Sequence, residues 1–175
     1  MHKKTVVLLV LMSMFVVSSS AQEKENIAAT DKVTIEGKVK SPFVFSLEQA
    51  PQYNTVTVDS IVIYNHLMQR RRSIHRIKGI LLKDVLEKAI IEMPSPKQLS
   101  EIYIACIASD NYKVLFSWNE LFNTPVGRQA MIITEMDGQP AGSSKERIIL
   151  LSAADQATGR RFMKGLAKIV VAQVQ

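Results

Sequence analysis

The sequence predicts an α+β domain, mostly β, with seven or eight short strands and two or three short helices. Three observations carry this. β-branched, alternating runs recur along the chain, clearest at Asn54–Tyr64 and across Glu101–Trp118. Helical periodicity is confined to short stretches. Strands and helices do not alternate regularly, which excludes a doubly wound parallel sheet. The chain has 175 residues, 47% of them apolar, enough for one domain with a substantial core.

The N-terminus is set apart by composition. His2, Lys3 and Lys4 precede a nearly continuous apolar run, Val6–Val17, and Ser18–Ala21 supplies small residues. This is the layout of a secretory signal peptide over residues 1–21, with an apolar core too short for a comfortable transmembrane span. Export to the periplasm or the medium is the expectation, with no membrane span after cleavage. Of the 22 Lys and Arg residues, two lie in this segment, leaving 20 against 16 acidic residues, a mild +4. So diffuse a charge does not argue for nucleic acid. The lone cysteine, Cys106, cannot form an internal disulfide, so the core must hold the fold.

The elements follow in order. Gln22–Asp31 is a polar, flexible lead-in, and the domain occupies 32–175. Lys32–Val39 reads as a strand bent at Gly37, and Phe43–Phe45 as a second extended piece. Ser46 and Gln49 have capping-box spacing ahead of a short turn ended by Pro51. Asn54–Tyr64 is a strand. Asn65–Lys78 is the most basic segment, with Arg70, Arg71, Arg72, Arg76 and Lys78, two histidines and no acidic residue; it reads as a loop punctuated by Gly79. Ile80–Ile91 is an amphipathic helix whose apolar stripe is Leu82, Val85, Leu86, Ala89 and Ile90. Ser95 caps a short turn before the next strand. In Glu101–Trp118 both faces of Ile102–Ala108 are apolar, the pattern of a central strand covered on both sides. Ser109–Asn111 turns the chain into a second strand, and Ser117 with Glu120 forms a capping box for a helix over Trp118–Phe122. Gln129–Glu135, Arg147–Leu151 and Lys168–Val174 are strands, separated by the Asp137-Gly138 turn and a loop with a basic exit, Ala153–Arg161.

Few of these residues announce chemistry. Beyond His2, the histidines are His66 and His75, and neither HExxH nor CxxC occurs, so no metal site is predicted. A phosphate-binding glycine loop and a GxSxG elbow are also lacking. Cys106 lies inside a strand among Ile102 and Ile104, which predicts a buried, inert thiol. Asp110, Asp137 and Asp155 fall in turns, where Asp has a structural reason to be. No catalytic residue is assigned. The nearest anion-ready feature is Gly159-Arg160-Arg161, because guanidinium groups grip phosphate or carboxylate bidentately.

Several stretches taken together resemble the molybdopterin-binding domain of the sulfite-oxidase type. VTIEGKVKSPFVFSLEQ resembles its opening strands and "F-S-L-E-Q-L" helix. RIKGILLKDVLEKA resembles "W-x-G-V-x-L-x-D-L-L-x-x-A". ASDNYKVLFSWNELF resembles its "S-x-D-G-Y" hairpin with Asn111 in place of Gly. MDGQPAGSSKERIILLSAADQATGRRFMKGLAKIVV resembles its closing segment. The likeness runs from about Lys32 to Val174.

The resemblance implies a cofactor of the molybdopterin class and basic residues near the closing strands that grip its phosphate. Arg160, Arg161 and Lys164 match that region. His75 and Arg76 precede the matched helix, and Ser109, Asp110 and Tyr112 form the turn expected to face the site. Catalytic members ligate molybdenum through a cysteine thiolate in the interval that corresponds to Asn65–Lys78. This chain has no cysteine there. The expected function is therefore an exported binding module for a small anion or pterin, with a redox or envelope protein as partner and without molybdenum catalysis. Two other readings stand beside it: a molybdopterin-dependent oxidoreductase subunit, and a structural protein that binds a partner through its surface.

Overall fold

The computed structural model describes residues 27–174. The expected signal peptide, and the lead-in up to residue 26, lie outside the described residues. Two sheets and two short helices make up the domain. The first sheet has the order β2-β1-β11-β5-β6, from β1 (Lys32–Gly37), β2 (Phe43–Ser46), β5 (Ile102–Ala108), β6 (Lys113–Ser117) and β11 (Leu166–Gln173). The second has the order β10-β9-β7-β4-β3, with β8 beside β7. Its strands are β3 (Thr55–Tyr64), β4 (Arg70–Leu81), β7 (Ala130–Met136), β8 (Gln139–Pro140), β9 (Ile149–Ser152) and β10 (Met163–Lys164). The helices are α1 (Leu82–Ala89) and α2 (Trp118–Asn123), with several 3₁₀ turns between elements. Only β1 and β11 pair in parallel within the sheets, so the domain is α+β and mostly β, as expected.

The main core lies between the sheets. Val33, Ile35 and Phe45 from the first strands meet Ile104, Phe116, Ile169 and Val171. From the second sheet come Ile80, Ile132 and Leu150, and α1 inserts Leu82, Val85, Leu86 and Ala89. A smaller core (Ile74, Ile77, Met131, Ile133, Ile149 and Leu151) occupies the other face of the second sheet. It is crossed by the chain that leaves β9, runs to the edge of β3 and returns to pair as β10. Ala153 and Phe162 of that crossing pack on it, and Thr158 Oγ1 donates to Val62 O (2.7 Å) and accepts from the Tyr64 N–H (2.9 Å).

The structure corrects several expectations. Most of the basic segment is strand, not loop: Arg70–Leu81 pairs with β3 along nearly its whole length. Its buried positions run Ile74, Ile77, Ile80, a spacing of three that hides the period of two; Arg76 sits between the first pair with φ 47°. Gly79 lies inside this strand, where a Cβ would come within 2.8 Å of Ile132 O, so it marks close strand approach and not a break. With β4 and the two-residue strands β8 and β10 the strand count reaches eleven among the described residues. Strand β5 is second from the edge, and Tyr103, Ala105 and Ile107 on its outer face are only half-buried; the middle strand is β11. Ile90 caps α1 with φ 54° and is exposed, because the helix ends one residue before it. The end of the lead-in is tied down: Ala28 O accepts from Ser109 Oγ (2.8 Å), Thr30 bridges to Arg147, and Asp31 pairs with Arg147.

Candidate functional site

The β5–β6 turn, the start of α2 and the crossing segment meet around an open cavity of about 510 Å³. Its wall is made by Tyr112, Lys113, Leu115, Glu120, Asp155, Arg160 and Arg161, among others. Local sequence places each part. Asp110 Oδ1 accepts from the Tyr112 N–H (3.0 Å), an Asx turn, and Asn111 takes φ 62°, a conformation Asn tolerates better than most residues. The turn therefore directs Tyr112 across to the crossing segment, where its hydroxyl donates to Arg160 O (2.6 Å). Ser117 and Glu120 form the expected capping box: each side chain accepts from the other's backbone N–H, at 2.8 and 3.0 Å.

Arg161 is the hub of the site. Its Nε and Nη2 donate to the two oxygens of Asp155, both at 2.7 Å, and Nη1 donates to Glu120 Oε1 (3.1 Å). The guanidinium lies 4.2 Å from the centroid of Phe116. Asp155 is itself held by Ser152 Oγ (2.7 Å). Burial alone would lower the arginine's pKa; the hydrogen bonds and charges of Asp155, and then of Glu120, outweigh this and raise it. Arg161 is thus a permanently charged structural brace whose charge is already answered by two carboxylates.

Arg160 and Lys113 differ from it. Both are exposed on the cavity wall, and among the described residues neither side chain makes an ion pair or a hydrogen bond. The cavity therefore carries two uncommitted cations and a tyrosine side chain. In the sequence Lys113 is simply the charged position between Tyr112 and Val114 of a strand. Its place beside Arg160 depends on a contact between segments far apart in the chain, which strand periodicity does not reveal.

The other anticipated site residues lie elsewhere. Lys164 pairs with Glu146 at 2.6 Å, and that hydrogen bond is the main cause of the lowered Glu146 pKa. Ser109 fastens the lead-in. The His75 N–H donates to Asp137 Oδ1 (2.7 Å), and Arg76 Nη2 donates to Asp137 O (3.1 Å), so both brace the Asp137-Gly138 turn. That turn borders a separate cavity of about 280 Å³ lined by Ile133, Met136 and Pro140. Of the eight residues anticipated, Tyr112, Arg160 and Arg161 share one cavity wall.

Gly159 owes its place to crowding. A Cβ there would stand 2.6 Å from Tyr64 O, which brings the chain just before Arg160 hard against the end of β3. Cys106 is fully buried in the main core, and burial pushes its thiol up to about 12 despite a lowering by nearby Arg161. It is not a thiolate at neutral pH. The thiolate ligand that the resemblance implies has no counterpart: Asn65–Lys78 lacks cysteine, and Cys106 faces the core. Among the described residues there is no group of three or more His, Cys, Asp or Glu side chains placed to hold a metal. The residues present do not fit thiolate-ligated molybdenum.

No protein-family model and no curated protein matches the chain. Among solved structures it is similar to the sulfane dehydrogenase SoxCD from Paracoccus pantotrophus, with a TM-score of 0.56 at 14% identity. The match covers 80% of this chain and 37% of that one. The likeness is one of fold, the mostly β α+β architecture anticipated from the resemblance to sulfite-oxidase-type domains.

Proposed function

We propose that this chain is an exported binding module on a sulfite-oxidase-type fold, and that it holds a small anion at the cavity between Tyr112, Lys113 and Arg160. One observation carries the reading: Arg161 is consumed by Asp155 and Glu120, while Arg160 and Lys113 stand free on the same wall. An anion placed there meets two cations that need not give up an existing partner. Arginine contributes a flat, paired set of donors, and lysine a point charge. A phosphate group, as on a pterin cofactor, and a carboxylate both suit that pair. The N-terminal segment supports export, and the apolar burial of Cys106 supports binding without thiolate-ligated molybdenum.

The test is an NMR titration with inorganic phosphate and pyrophosphate. The amide signals of Tyr112, Lys113 and Arg160 are expected to shift together. The Arg160→Gln/Lys113→Gln double variant is expected to weaken binding by about tenfold or more, since each charge-assisted contact contributes on the order of 1 kcal/mol or more. Shifts that centre on other residues, or that persist in the double variant, would overturn the reading.

A further inference from the structure

The β3–β4 hairpin ends in a tip that the anion cavity does not use. Leu67 and Met68 stand there 63% and 53% exposed. The tip is nevertheless closed by a set of hydrogen bonds. Asn65 Oδ1 accepts from the N–H groups of Leu67 (3.0 Å) and Gln69 (2.9 Å), and Asn65 Nδ2 donates to Gln69 Oε1 (2.9 Å). The Asn65 N–H donates to Gln69 O, and the Met68 N–H to Asn65 O. Met68 takes φ 58°. The side chain of Asn65 thus organises the turn, and two apolar side chains are held out into solvent by it.

Two cations stand beside this tip. Arg70 and Arg71 follow it directly and are exposed. Arg70 pairs in register with Tyr64, whose backbone is fastened by Thr158, two residues before Arg160. Arg72 is committed elsewhere: it lies over Phe162, reaches Met136 and feels the charge of Glu146. No acidic residue occurs from Asn65 to Lys78. Arg70 Nη2 donates to Ser73 Oγ (2.8 Å), but among the described residues neither Arg70 nor Arg71 enters an ion pair. An apolar tip flanked by two cations without carboxylate partners is complementary to a surface that is anionic outside and apolar beneath.

We infer that the hairpin tip docks on an anionic lipid surface, inserting Leu67 and Met68 among the headgroups while Arg70 and Arg71 engage lipid phosphates. Apolar insertion and headgroup attraction reinforce each other, and each alone gives only weak attachment. An acidic protein would satisfy the arginines but would leave the two apolar side chains without a matching layer.

The experiment is co-sedimentation of the protein, in the N-terminal form found in its native host, with phosphatidylcholine vesicles and with mixed phosphatidylcholine–phosphatidylglycerol vesicles. Every variant carries the same N-terminal segment, so that segment's contribution is common to all. Binding is expected to need the anionic lipid and to weaken with salt. Leu67→Ser/Met68→Ser and, separately, Arg70→Gln/Arg71→Gln are expected to lower the partition coefficient about tenfold. Val44→Ser, at an exposed apolar position on β2, is expected to leave it unchanged. Circular dichroism confirms that each variant is folded. Binding to neither vesicle type, equal binding to both, or unchanged binding by the tip variants would overturn the inference.

Discussion

Replacing Arg161 with Met is expected to destabilise the domain by about 2–4 kcal/mol, close to the cost of removing one partner from a buried ion pair. Met keeps an unbranched apolar stem over Phe116 and removes only the guanidinium. Asp155, whose side chain is 13% exposed, then loses both of its charged donors and keeps only Ser152 Oγ, and Glu120 loses one. The penalty comes from orphaned carboxylates, so it is reversible by a second change. Asp155→Asn in the Arg161→Met background is expected to recover part of the lost stability, whereas Asp155→Asn alone is destabilising. Urea denaturation of the four proteins reads this as a double-mutant cycle. Additive losses would show that Arg161 is not the hub of the site.

Gly37→Ala is expected to cost about 3 kcal/mol or more, combining left-handed backbone strain with a forced contact. Gly37 has φ 100°, and its Cβ would fall 2.1 Å from Val171 O on the middle strand. That same carbonyl accepts from the Lys38 N–H at 2.8 Å, the bond that turns the chain away from β11. The change therefore strikes the parallel β1–β11 pairing, at the centre of the first sheet. Gly142 provides the control: a Cβ there meets nothing within 4 Å. A Gly37→Ala variant no less stable than Gly142→Ala would contradict the packing described.

Much of the fold is legible in the sequence because its signals are local. The bend at Gly37, the capping box of Ser117 and Glu120, the apolar stripe of α1 and the Asp137-Gly138 turn each depend on residues a few positions apart. What escapes depends on distant partners or broken periods. Strand β4 was hidden by its three-residue spacing of isoleucines and by a run of arginines that composition assigns to a loop. The half-open face of β5 was hidden because Tyr103, Ala105 and Ile107 are apolar whether or not anything covers them. At the site, Arg160 and Arg161 look equivalent as neighbours in sequence. Only the return of the crossing segment past Asp155 and Glu120 separates them, committing one to the scaffold and leaving the other free.

The proposed function is anion binding without thiolate-ligated molybdenum. The most direct measurement is elemental and pterin analysis of the protein purified from its native host. Molybdenum is expected far below one atom per chain, with Cys106 recovered as an unmodified thiol after unfolding. Stoichiometric molybdenum retained by the folded protein would contradict it and would favour the oxidoreductase-subunit reading instead.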